Sequence, residues 1–111
     1  MDVVRVIIAD DLALVRQGIR ALLEPIDGVE IVGEVANADD AVSLARATKP
    51  EVMLIDQDIV GDGLRATREI KKTFPQIEVI IMTDRLNDGK ALKAIAAGAT
   101  GYVLKDRKSV V

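Results

Sequence analysis

The chain has 111 residues and neither cysteine nor histidine. That is one domain's worth of polypeptide, with no disulfide framework, no thiolate metal site and almost no scope for zinc or copper chemistry, which leaves oxygen ligands suited to magnesium or calcium. A net charge of −3 argues against a nucleic-acid surface in this segment, and no apolar run approaches the ~18 residues of a membrane span. A soluble, cytoplasmic protein is expected.

In chain order, residues 3–9 read as a buried strand, and Leu12, Val15, Ile19, Leu22 and Leu23 then recur at helical spacing until Pro25 and Gly28 break the pattern. Residues 30–35 form a second strand. Residues 39–48 form a second helix with Ala41, Leu44, Ala45 and Thr48 on its inner face, closed by Lys49-Pro50. A third strand spans residues 51–56, and Gly61-Asp62-Gly63 turns the chain into a helix over residues 64–74, stopped by Pro75. Residues 78–83 make a fourth strand, residues 88–97 a helix ended by Gly98, and residues 102–104 a fifth strand.

Continuous apolar strands alternating with crossover helices predict an α/β fold, a five-stranded parallel sheet with helices on both faces. Phe74 and Tyr102 are the only aromatics, so Val, Ile, Leu, Ala and Met must build the core. The last six residues, from Asp106, fall where another crossover helix would start, so the final helix is expected to be truncated.

Parallel sheets of this kind bind ligands at the carboxyl ends of their strands, and the conspicuous polar residues all lie there. Asp10 and Asp11 follow the first strand, Asp56 ends the third, Thr83 the fourth and Lys105 the fifth. Three carboxylates at one rim repel, a crowding relieved by a proton or a cation; magnesium suits the ligands and neutral pH. A dication held by Asp10, Asp11 and Asp56 would neutralise an incoming phosphoryl group, with Lys105 and Thr83 paired to its outer oxygens and Asp56 as in-line nucleophile. Singly, each residue has an ordinary role: Asp10 or Asp11 as helix caps, Lys105 as a solvated cation, Thr83 as a strand residue, Tyr102 as core.

The motifs Val6-Ile7-Ile8-Ala9-Asp10-Asp11 with Val15-Arg16, Met53-Leu54-Ile55-Asp56, Val79-Ile80-Ile81-Met82-Thr83 and Ala97-Gly98-Ala99-Thr100-Gly101-Tyr102-Val103-Leu104-Lys105 resemble the receiver domains of two-component response regulators. Asp106, where many receivers have Pro, makes the chain most similar to receivers that precede a LuxR/NarL-type helix-turn-helix output domain. The resemblance implies a flavodoxin-like (CheY-like) fold over residues 1–111 and an output domain following in the parent protein. It also implies phosphorylation of Asp56 by a sensor histidine kinase and a Mg2+ site formed by Asp11, Asp56, the backbone carbonyl of Asp58 and, through water, Asp10. A switch in which Thr83 moves inward and Tyr102 turns into the vacated space would remodel the face of the fourth helix and fifth strand. DNA would be reached only through the output domain; homodimerisation is left open, and no membrane partner is implied.

Two stretches depart from the family's pattern. The loop from Asp56 to Gly63 lacks Met-Pro and is one residue shorter than usual, and Asp84 occupies a place normally held by a small residue. Facing the site at ~6 Å, Asp84 would repel each phosphoryl charge by ~3 kcal/mol at an effective dielectric near 20; turned away by strand alternation, it would be solvated. Two other functions remain open. A phosphorylation-independent docking or dimerisation module accommodates these departures, and Asp56-Gln57-Asp58-Ile59-Val60 also matches the DxDx(T/V) pattern of haloacid-dehalogenase-like phosphohydrolases. Those enzymes, however, open with that strand and carry their acidic pair late. A flavin-binding role lacks a Gly-rich phosphate loop and a spare aromatic.

Overall fold

The computed structural model describes residues 2–105. It contains the expected alternation: β1 (Val4–Ala9), α1 (Ala13–Leu23), β2 (Val29–Val35), α2 (Ala38–Thr48), β3 (Val52–Asp56), α3 (Gly63–Thr73), β4 (Glu78–Thr83), α4 (Asp88–Ala96) and β5 (Gly101–Leu104). All strand pairs are parallel, in the order β2-β1-β3-β4-β5. The further crossover helix expected from Asp106 onward lies outside the described residues.

Caps explain the small shifts in helix boundaries. Asn37 accepts a hydrogen bond from the Asp40 amide and starts α2 at Ala38, and Asn87 does the same for α4 through Lys90. Asp62 accepts from the amides of Leu64 and Arg65, so α3 begins at Gly63 rather than Leu64. Phe74 is the C-cap of α3 rather than its last helical residue. By contrast, α1 has no side-chain cap and no acidic residue in its first turn.

The two faces of the sheet differ in how well they are covered. Ile7, Ala9, Met53, Ile55, Val79 and Ile81 are fully buried in one cluster with residues of α2, α3 and α4. Each large aliphatic there contributes about 1.5–3 kcal/mol by leaving water. Strand alternation sends Leu54 and Ile80 to the other face, where they are only half-buried. Among the described residues α1 is the helix on that face, and none of its side chains is fully buried. Between α1 and the β4–β5 edge runs an apolar groove of about 620 Å³, lined by Val15, Ile19, Leu22, Met82 and Leu104 among others. Among the described residues no helix is long and apolar enough to cross a membrane.

Candidate functional site

In this order successive strands are added leftward from β1 to β2 and rightward from β3 onward, so the winding of the sheet reverses between β1 and β3 and opens a crevice at their carboxyl ends. Ala9 pairs with Ile55, so Asp10 leaves β1 level with Asp56 at the end of β3. Asp56 pairs with Met82, Thr83 with Leu104, and the Lys105 amide donates to the Thr83 carbonyl at 2.8 Å. All five positions singled out in the sequence therefore reach one rim.

The side chains converge as well. Carboxylate oxygens of Asp10, Asp11 and Asp56 all lie within 4.8 Å of one another. The Lys105 ammonium donates to Asp10 at 3.1 Å and to Asp56 at 3.3 Å. Asp10 is fully buried and Asp56 is 6 % exposed, whereas Asp11 is exposed. Burying carboxylates is costly unless they are paired, and the two buried ones share a single ammonium here. Burial raises the Asp56 carboxyl above its ordinary value; Lys105 opposes this, and the neighbouring Asp10 adds to it. Burial alone would lower the Lys105 ammonium, but its bonds to Asp10 and the attraction of Asp56 prevail and raise it.

Asp10 is not the N-cap of α1, a position held by Leu12. One of its oxygens accepts from the Leu12 amide at 2.9 Å while the other accepts from Lys105. Asp58 lies in the turn after β3 with its side chain exposed, and its backbone amide favours the charged form of Asp56. Thr83 is fully buried. Its hydroxyl donates to the Arg85 carbonyl at 3.0 Å and accepts from the Arg85 amide at 3.2 Å, so pairing with a phosphoryl oxygen requires it to release that carbonyl. Tyr102 packs against the core, and its buried hydroxyl has no hydrogen-bond partner among the described residues.

Asp84 is exposed and lies on the wall of the open groove beside α1. The solvated alternative thus describes it, and its charge is screened by water. The short loop after Asp56 is pinned throughout: the Gln57 amide donates to the Met82 carbonyl at 2.8 Å, Gly63 to Gln57 at 3.1 Å, and Ala38 of α2 to Val60 at 2.8 Å. A Cβ on Gly63 would come within 2.3 Å of the Asp56 carbonyl oxygen. Gly63 therefore supplies the close approach of α3 to β3.

Two residues of the site's surroundings were not recognised as such in the sequence. Arg16 donates to the Asp10 carbonyl at 2.6 Å and to Glu34 of β2 at 3.1 Å. Arg16 follows the acidic pair in the chain's opening motif, but nothing in the linear pattern links it to Glu34, because that contact exists only once β2 lies beside β1.

An acidic pocket flanked by a lysine at the switch point of a β2-β1-β3-β4-β5 sheet defines a flavodoxin-like (CheY-like) parallel α/β module. The chain belongs to the response regulator receiver domain family, whose model matches residues 6–110, and within it to the LuxR/NarL-type subgroup. It is 38% identical over 105 residues to the response regulator protein VraR of Staphylococcus epidermidis, covering 92% of this chain and 49% of that protein. Among solved structures, a LuxR-family two-component response regulator from Aurantimonas sp. superposes with a TM-score of 0.89 at 37% identity, over 94% of this chain and 75% of that one. The receiver domain of the putative response regulator NarL from Mycobacterium tuberculosis gives 0.92 at 28% identity, over 97% and 88%. The chain spans about half the length of the curated relatives it matches.

Proposed function

We propose that this receiver is a phosphorylation-dependent switch: Asp56 accepts a phosphoryl group from a sensor histidine kinase, and the phosphorylated form controls a transcriptional output through a helix-turn-helix domain following in the parent protein. The observation that carries this reading is the placement of Lys105 between buried Asp10 and Asp56, beside exposed Asp11. A pocket whose acids outnumber its cation three to one is suited to take up positive charge together with a phosphoryl group.

The donor set fits Mg2+. It offers only oxygens, and carboxylates sharing one magnesium at ~2.1 Å stand roughly 3–4 Å apart, a modest closure from the spread within 4.8 Å. Asp10, Asp11, Asp56 and the backbone carbonyl of Asp58 would hold the ion, which supplies charge neutralisation for the transferring group. An Asp56 oxygen attacks phosphorus in line, a P–O bond forms as the donor's P–N bond breaks, and the imidazole leaves with a proton from solvent. Lys105 is near enough to Asp56 to exchange that carboxylate for an outer phosphoryl oxygen.

The switch is assigned to Thr83 and Tyr102. Moving the Thr83 hydroxyl toward the phosphoryl group frees the Arg85 backbone, and the Tyr102 hydroxyl, without a partner among the described residues, gains a reason to reorient. A cytoplasmic location fits a kinase-coupled role, and DNA contact belongs to the output domain.

Incubation with acetyl phosphate and Mg2+, followed by intact-mass measurement, tests the proposal. A single phosphoryl adduct is expected, dependent on Mg2+ and absent from Asp56→Asn. An unmodified protein would favour the docking-module reading, and steady turnover of p-nitrophenyl phosphate would favour a phosphohydrolase.

A further inference from the structure

We infer that Arg16 is a positioning residue for the acidic pocket, locking the peptide between Asp10 and Asp11 and itself oriented by Glu34. The inference rests on the metal-binding reading above and extends it to residues that touch neither metal nor phosphate.

The Asp10 carbonyl belongs to the peptide that joins the two acids, so its direction sets the starting point of both side chains. Arg16 Nη1 holds that oxygen at 2.6 Å, while on the other side of the residue the Asp10 amide donates to Val35 of β2 at 3.1 Å. The guanidinium is held in turn: its Nε donates to one oxygen of Glu34 at 3.1 Å, and the second oxygen of Glu34 accepts from Arg20 Nε at 2.6 Å. The Arg16 and Glu34 side chains are 19 % and 25 % exposed, so this fork is largely shielded from water. Hydrogen bonding from Arg20, followed by Arg16, keeps Glu34 below the usual carboxylate range against the opposing effect of burial.

Local helix energetics do not account for the arrangement. A cation near the start of α1 opposes the helix dipole, and this is the helix that lacks both a side-chain cap and an acidic first turn. The turn from Asp10 to Leu12 is fixed instead by the Asp10 carboxylate on the Leu12 amide and by Arg16 on the Asp10 carbonyl. Freed from Arg16, that peptide can rotate, and the Asp11 oxygen loses its fixed relation to Asp56. Outer contacts that orient metal-binding groups typically change metal affinity by about 10–100-fold when removed.

The test is a calorimetric Mg2+ titration of the full chain, wild type against Arg16→Ala, Arg16→Lys and Glu34→Gln, with thermal unfolding of each in metal-free buffer. Arg16→Ala is expected to weaken Mg2+ about tenfold, with Arg16→Lys and Glu34→Gln intermediate. Adding Glu34→Ala to Arg16→Ala is expected to cost nothing further in Mg2+ affinity, because the two act in series. A merely structural role would lower the unfolding temperature and leave the dissociation constant of the folded protein within about twofold of wild type; that result overturns the inference while leaving the metal site standing. Should Arg16→Ala fail to fold, Arg16→Lys and Glu34→Gln carry the same comparison. Absence of Mg2+ binding by the wild type would bring down the metal reading and this inference together.

Discussion

A methyl group on Gly63 would sit 2.3 Å from the carbonyl oxygen of Asp56. The start of α3 thus rests directly on the backbone of Asp56, the proposed phosphoacceptor, and the space between them accepts hydrogen and nothing larger. Gly63→Ala is expected to destabilise the fold by about 1–3 kcal/mol through overpacking, measured by urea denaturation, and to lower the yield of phosphoryl adduct. Gly18→Ala is the control: a Cβ there meets nothing within 4 Å, so this mid-helix change should stabilise by about 0.5–1 kcal/mol.

Asp56→Asn should make the metal-free protein more stable at neutral pH. Burial raises the Asp56 carboxyl in the folded state, so the native form binds the proton more tightly than the unfolded chain, and the wild type loses stability as pH rises through the folded value. The advantage of Asn is therefore full above that value. It shrinks as pH falls toward the ordinary value of 3.8 and disappears below it, where both forms of Asp56 are neutral. Unfolding curves of the two proteins across this range measure the difference.

Lys105→Met has the opposite consequence. It leaves buried Asp10 and Asp56 facing each other without their shared ammonium. Removing one partner of a fully buried pair costs about 3–5 kcal/mol; with Lys105 15 % exposed, a loss of about 1–3 kcal/mol is expected in metal-free buffer. Because the Lys105 pKa is raised in the folded state, the lost contribution is constant from neutral pH up to the ordinary lysine value, and wild type forfeits it only as pH rises through the folded one. Saturating Mg2+ should narrow the gap between the two proteins.

Asp84→Ala is expected to do little. Asp84 is exposed on the groove wall, and surface substitutions of this kind stay within about 0.5 kcal/mol. The phosphorylation rate with acetyl phosphate at physiological salt should change by less than about threefold, as screening by water and ions dictates. A tenfold acceleration would mean that the Asp84 charge reaches the phosphoryl group.

The central strands were readable because they carry runs of aliphatic residues, and four polar positions gained meaning by following or ending strands: Asp10, Asp56, Thr83 and Lys105. Helix starts were less readable. Asp62 and Asn37 are caps whose role depends on which amides they meet, and each moved a boundary by one residue. Departures from the family's pattern were visible at Asp84 and in the short loop, but their consequences were not. The direction of the Asp84 side chain and the fit of Gly63 against Asp56 are properties of the packed sheet. The Arg16–Glu34 fork lay beyond linear reasoning for the same reason: its partners are 18 residues apart and meet across two secondary-structure elements.

The most direct measurement is to trap the phosphorylated residue chemically. After acetyl phosphate and Mg2+ treatment, borohydride reduces an acyl phosphate to the alcohol, converting a phosphorylated aspartate to homoserine that peptide sequencing locates. The account predicts homoserine at position 56 alone, lost when Mg2+ is withheld. Homoserine at Asp10, Asp11 or Asp58 instead, or a phosphoryl group that resists reduction because it sits on a hydroxyl, would contradict it.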